Sequence, residues 1–105
     1  MPVELVASRF AALGSEQRLG VLQVLVRAGP NGLSIGDLGA RSGVTGSTLT
    51  HHLKVLAQAG LIRQERQGRS TICAGVAYQE VQALSAYLLQ HCCADCGITG
   101  DHDHD

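Results

Sequence analysis

The sequence predicts a mainly α-helical domain carrying one two-stranded β-hairpin. Three observations lead there. Apolar residues recur at helical spacing over residues 3–13, 15–28, 34–42 and 45–59, and again from Tyr78 onward. That period disappears between Leu61 and Val76, where Leu61-Ile62 and Thr71-Ile72-Cys73 flank the polar run Arg66-Gln67-Gly68-Arg69. The chain has 105 residues with 45% hydrophobic and 16% charged side chains, the composition of one small globular domain.

The first helix is read from Val3, Val6, Phe10 and Leu13 and stops at Gly14. Ser15 then caps a second helix with Leu19, Leu22 and Val26 on one face, ended by Gly29-Pro30. In the third, Ser34-Ile35-Gly36-Asp37 has the serine-x-x-acid capping pattern, Ile35 and Leu38 point inward, and Gly43 suits the turn that follows. Thr45 caps a fourth helix in which Leu49, Leu53 and Leu56 repeat at i, i+4 and i+7. The opposite face offers only Gly46, Ser47, Thr50, His51 and Lys54. Gly68 suits the tip of the hairpin. In the last helix Val81, Leu84 and Leu88 form a stripe that is expected to run into His91-Cys92-Cys93-Ala94-Asp95-Cys96 before Gly97. Residues 1–97 are expected to form the folded unit and 98–105 a disordered acidic tail of His and Asp.

Charge divides along the chain. Residues 41–69 carry Arg41, Lys54, Arg63, Arg66 and Arg69 against Glu65 alone, a local +4, while residues 70–105 hold five acids and no Lys or Arg. A basic middle between neutral and acidic ends points to an anionic partner, nucleic acid first. No apolar run approaches the roughly 18 residues of a membrane helix and no signal-peptide pattern opens the chain, so a cytoplasmic protein without a membrane partner is expected. No catalytic constellation is present, and no enzyme is expected. With one Phe, two Tyr and no Trp the core of a monomer is meagre, which favours dimerisation.

The order helix, helix, helix-turn-helix, hairpin, helix describes a winged helix-turn-helix flanked by two amphipathic helices. Ala12-Leu13-Gly14-Ser15-Glu16-Gln17-Arg18-Leu19, Ser47-Thr48-Leu49-Thr50-His51-His52-Leu53-Lys54-Val55-Leu56 and Ala59-Gly60-Leu61-Ile62 resemble the ArsR/SmtB family of bacterial repressors over roughly residues 3–92. The resemblance implies a homodimer that binds double-stranded operator DNA and releases it when a metal, metalloid or thiol-oxidising signal binds. Ser47, Thr48, Thr50 and His51 would then reach base edges, and Lys54, Arg66 and Arg69 would hold phosphates. At the position of Gly46 the family often has a Gln that reads a base; its absence thins the readout expected here. For His52 a packing or phosphate role ranks above base contact. Val6, Phe10, Val81, Leu84 and Leu88 are expected at the dimer interface, because their apolar stripes would otherwise lie exposed.

The effector is read from the thiols. The third-helix cysteines of arsenic- and lead-sensing relatives are replaced here by Ser34-Ile35-Gly36-Asp37-Leu38-Gly39. The zinc ligands of the last helix are likewise missing from Tyr78-Gln79-Glu80-Val81-Gln82. What remains is Cys92, Cys93 and Cys96. On a continuing helix residues 92 and 96 share a face, so three sulfurs could converge on a soft, trigonal ion; As(III) suits them best and Sb(III) next. Cys93-Ala94-Asp95-Cys96 also permits a thiol-redox or persulfide-sensing repressor, and the thiols with His102 and His104 a metal carrier. The redox reading is weakened by Asp95 and the negative helix end, which disfavour thiolate. The tail Asp101 to Asp105 could bind Zn²⁺, Ni²⁺ or Cu²⁺ weakly. Cys73 reads as a small buried hydrophobe.

Overall fold

The structure, a computed structural model, describes residues 1–76 and 78–97; the expected acidic tail, with its weak metal site, lies outside them. Helix α1 spans Val3–Ala12 and α2 Glu16–Ala28. A two-residue strand β1, Leu33–Ser34, leads into α3, Ile35–Ser42, and α4 follows at Gly46–Gln58. Strands β2, Ile62–Gln67, and β3, Ser70–Gly75, form the hairpin, and α5 spans Tyr78–Leu89.

Local chemistry accounts for the element starts. The Ser15 hydroxyl accepts from the Arg18 N–H at 3.2 Å and Ser34 Oγ from the Asp37 N–H at 3.1 Å, so two helices begin where a side-chain oxygen satisfies an orphan amide. Thr45 precedes α4 as expected, yet its hydroxyl makes no capping bond. Its methyl is turned toward Gly39 of α3, where a β-carbon would come within 3.2 Å of it.

The sheet has three strands in the order β1-β3-β2, all antiparallel, with Leu33 opposite Cys73 and Ile62 opposite Gly75. The expected two-stranded hairpin thus gains a third strand. Two residues are too short to show a period of two, and Ser34 also serves as the cap of α3, so the sequence displays only the cap.

The core lies where α2, α3, α4 and the base of the hairpin meet, around Val21, Leu25, Leu38, Leu49, Leu53, Leu56, Leu61 and Cys73, all essentially inaccessible. Removing one of these leucines to the β-carbon costs about 2–5 kcal/mol through forfeited transfer energy and the cavity left behind. Helix α2 is rotated from the expected face: Val21, Leu22 and Leu25 are buried, whereas Leu19 and Val26 stay exposed. Ile35 is exposed too, and Leu38 is the one large side chain that α3 buries, beside Gly39.

The two flanking helices depart most from the sequence reading. Val6 and Leu84 are 4% and 3% exposed, so they belong to the protomer's own core and present no free stripe, while Phe10 and Leu88 do remain exposed. Helix α5 also stops at Leu89 and does not extend through the cysteines. Its amphipathic pattern lapses after Leu89, where Gln90, His91, Cys92 and Cys93 offer no inward apolar residue to hold another turn. The radius of gyration is 16.9 Å with extents of 59 × 26 × 22 Å, against about 13 Å for a compact chain of this length.

Candidate DNA-binding face and thiol cluster

Helix α4 buries Leu49, His52, Leu53 and Leu56 and turns Ser47, Thr48, Thr50, His51 and Lys54 outward. All five sequence-predicted side chains of this helix therefore stand on an exposed face. Thr50 Oγ1 donates to the Gly46 carbonyl at 3.2 Å, which leaves the hydroxyl's lone pairs as its free hydrogen-bonding capacity. Gly46 opens the helix at φ +65°, a left-handed conformation that disfavours any β-carbon, so the missing side chain follows from the backbone path. Arg66 and Arg69 are exposed at the hairpin end, in register with Thr71 and beside the Gly68 turn. Arg63 differs from them: its guanidinium donates to the Pro30 carbonyl at 2.9 Å and pairs with Glu65 at 3.9 Å.

Behind this face, His52 is 8% exposed and fastens the helix to α2. Its Nε2 lies 2.8 Å from Gln17 Oε1 and its Nδ1 3.3 Å from the Arg18 guanidinium. Both contacts are satisfied by a neutral ring with the proton on Nε2, which donates to Gln17 while Nδ1 accepts from Arg18. Burial chiefly, then the charges of Arg18 and His51, lowers the His52 pKa below its usual 6.5. The unfolded chain therefore takes up a proton more readily than the folded one. The histidine's contribution is complete above pH 6.5 and is lost as pH falls through the lowered folded value. Urea unfolding from pH 8 to 5 is expected to show this acid-side loss, and His52→Gln to flatten it; an equal slope in both proteins would remove His52 as the cause.

By charge count Arg9 is one of three arginines, with Arg18 and Arg27, that balance Glu4, Glu16 and Asp37 in residues 1–40. In the fold it is 5% exposed. Its Nε donates to the Ala59 carbonyl at 2.9 Å and its NH2 to the Gly60 carbonyl at 3.2 Å, so the guanidinium occupies the carbonyl end of α4. The same NH2 lies 3.5 Å from Glu80 Oε1 at the start of α5. A signal was available: Arg9 stands three residues after Val6, on the inward stripe of α1. Gly60 adopts φ +73°, and a β-carbon there would sit 2.9 Å from the Arg9 NH2. Gly60→Ala is expected to cost at least about 1–2 kcal/mol from the left-handed backbone alone, measured by chemical denaturation.

At the other end of α5 the three thiols lie exposed in successive turns. The Cys92 N–H donates to the Leu89 carbonyl at 2.9 Å and the Cys96 N–H to the Cys93 carbonyl at 3.0 Å, while Cys93 takes φ +61°. The sulfurs of Cys92 and Cys93 are 3.6 Å apart. Cys96 is not drawn in with them: among the described residues no three His, Cys, Asp or Glu side chains stand close enough to hold an ion. The shared helical face expected of residues 92 and 96 does not exist, because the helix has already ended. The Cys93 thiol pKa is raised, first by its hydrogen bond to Cys92 and next by that neighbour's charge. Cys73 is buried in β3, where enclosure raises its pKa and Gln64 donates to its sulfur at 3.5 Å.

A helix pair with an outward polar second helix, followed by a hairpin with basic tips, defines a winged helix-turn-helix protein. Residues 13–65 match the family described as Helix-turn-helix domain, and the chain belongs to that family, as a member of the ArsR/SmtB type. It is 40% identical over 67 residues to the HTH-type transcriptional regulator NmtR of Mycobacterium tuberculosis, an alignment that covers 64% of this chain and 53% of NmtR. The chain spans about half to two thirds of the curated relatives it matches. The crystal structure of the ArsR family transcriptional regulator RHA00566 superimposes with a TM-score of 0.74 at 26% identity, over 94% of this chain and 98% of that one. The solution structure of the homodimeric winged helix-turn-helix domain Mb0332 from Mycobacterium bovis, 17% identical, shares the fold with a TM-score of 0.68, over 95% and 90% of the two chains. Among the described residues no helix is long and apolar enough to cross a membrane.

Proposed function

We propose that the protein is a homodimeric, cytoplasmic transcriptional repressor that binds operator DNA through α4 and the hairpin tip, and that As(III) or Sb(III) at Cys92, Cys93 and Cys96 releases it. The observation that carries the DNA half is the wholly polar, exposed face of α4 beside two exposed hairpin arginines. Dimerisation rests on Phe10, Leu88 and Leu89, exposed at 38%, 68% and 63% along α1 and α5, with Val81 partly covered and Val6 and Leu84 anchoring those helices from beneath. Sedimentation at micromolar concentration is expected to give a dimer, and Leu88→Glu to weaken it. A wild-type monomer would overturn the interface.

The effector half rests on two exposed sulfurs 3.6 Å apart with a third thiol three residues along. Arsenite and thiols exchange hydroxide for thiolate, each thiol proton leaving with a hydroxide as water, so a raised thiol pKa is no barrier. At Cys93 it disfavours the thiolate that an oxidant sensor would need. Closing Cys96 onto the pair would tighten the chain after Leu89, so ligand binding and local ordering would be one event. Adding arsenite to the protein bound to an operator duplex tests the whole reading. Release is expected with arsenite and not with Zn²⁺, and release by persulfide or peroxide alone would install the redox alternative.

A further inference from the structure

Arg9 is the only buried cation of the described residues that touches three helices, and neither DNA contact nor effector binding uses it directly. We propose that Arg9 and Glu80 are positioning residues through which α5 holds the recognition helix α4 in place. The inference rests on the DNA-binding reading of α4 and is independent of the identity of the effector.

The carbonyls of Ala59 and Gly60 are unpaired acceptors at the negative end of α4, and the fork of Arg9 binds both, at 2.9 and 3.2 Å. A guanidinium 5% exposed needs a counter-charge, and among the described residues Glu80 is the one carboxylate within reach, at 3.5 Å. Glu80 belongs to the first turn of α5, while its own side chain is about half exposed. A shift of α5 therefore changes the balance of a charge seated on the end of α4. The geometry leaves little slack on the other side, because Gly60 has only enough room for a hydrogen where Arg9 passes. Displacing the guanidinium must either move the turn at Ala59-Gly60 or leave two carbonyls without a donor. The α4 helix is one rigid turn-to-turn ladder, so a change at its carbonyl end alters the angle at which Ser47 and Thr50 are presented.

The test uses the full chain with Glu80→Gln, Arg9→Lys and the double variant, assayed on a duplex selected from random DNA by the wild-type protein and on a scrambled duplex. Removing an acid from a DNA-binding protein should, by charge alone, strengthen binding to both duplexes. Positioning predicts the reverse for the selected duplex: its preference over the scrambled one falls at least about threefold in Glu80→Gln, within the range that residues of a coupling network command. Glu80→Asp restores it in part, and Arg9→Lys abolishes any further effect of Glu80→Gln. Amide exchange supplies a readout without DNA. The N–H groups of Gly60 and Leu61, bonded to Ala57 and Leu56, are expected to exchange faster in Glu80→Gln while amides of α2 keep wild-type rates. Unchanged exchange at Gly60 and Leu61 overturns the proposal whatever the DNA result. Faster exchange with a wild-type protein that shows no preference between duplexes overturns the reading of α4 as the recognition helix and leaves the Arg9 linkage standing as a packing device.

Discussion

Replacing Cys92, Cys93 and Cys96 together by Ser is expected to leave operator affinity within a factor of about two of wild type and to abolish release by arsenite. The thiols lie beyond the end of α5, exposed and apart from the polar face of α4, so their loss removes no DNA contact and no core packing. Serine keeps the volume and removes the soft donor, which is the property the ion selects. A complete switch, from 99:1 bound to 1:99, needs a difference of about 5.5 kcal/mol between effector binding to free and to DNA-bound protein. That difference resides in the sulfur ligands, so the triple variant should show none of it. Single variants separate the roles. Cys92→Ser and Cys93→Ser each break the pair already at 3.6 Å and should act most strongly, whereas Cys96→Ser removes the ligand that must still close in. Cys73→Ser is expected to lower stability without altering release, since its thiol is wholly enclosed. Fluorescence anisotropy of labelled operator against arsenite concentration measures release for all five variants. A triple variant that leaves DNA at the wild-type arsenite concentration would place the effector elsewhere.

Arg66→Ala with Arg69→Ala is expected to weaken binding to operator and to random DNA alike, by orders of magnitude at low salt. A dimer presents each arginine twice, so up to four phosphates go unneutralised at once. Each of them lowers the slope of log affinity against log salt by up to about 0.9. Substitution of Ser47 or Thr50 should instead erode the preference for operator while sparing the salt slope, because hydrogen bonds to base edges release no counterions. Arg63→Ala serves as an internal control: it shares the charge and the strand, but its guanidinium is bound to Pro30 and Glu65, and a smaller effect is expected. An Arg63 variant as damaged as the pair would assign the effect to the strand rather than to the tip.

The helical order was readable because the longer helices repeat their apolar residues over several turns, and because Ser15 and Ser34 announce two starts with the bond they make. The polar face of α4 was readable for the same reason, in reverse. Three features were hidden for separate physical causes. Strand β1 is too short to carry a period. Arg9 looks polar in sequence, yet its burial is permitted by backbone carbonyls far away along the chain, whereas the packing role that ranked first for His52 is met by Gln17 and Arg18. Finally, the end of α5 depends on what lies inward of residues 90–93, and the thiol spacing alone suggested a helix that has no surface to rest on.

The pairing of Leu33 with Cys73 and of Ser34 with Ile72 fixes the hairpin to the residue that caps α3. Hairpin and helix-turn-helix are thereby one casting, and neither can tilt on the DNA without carrying the other. A shift that α5 passes to α4 through Glu80 and Arg9 would then turn the hairpin along with the helices, in the manner of a caliper jaw that pivots as one piece. On the proposed reading, operator would be lost by misplacement of a whole reading head and regained once its placement is restored.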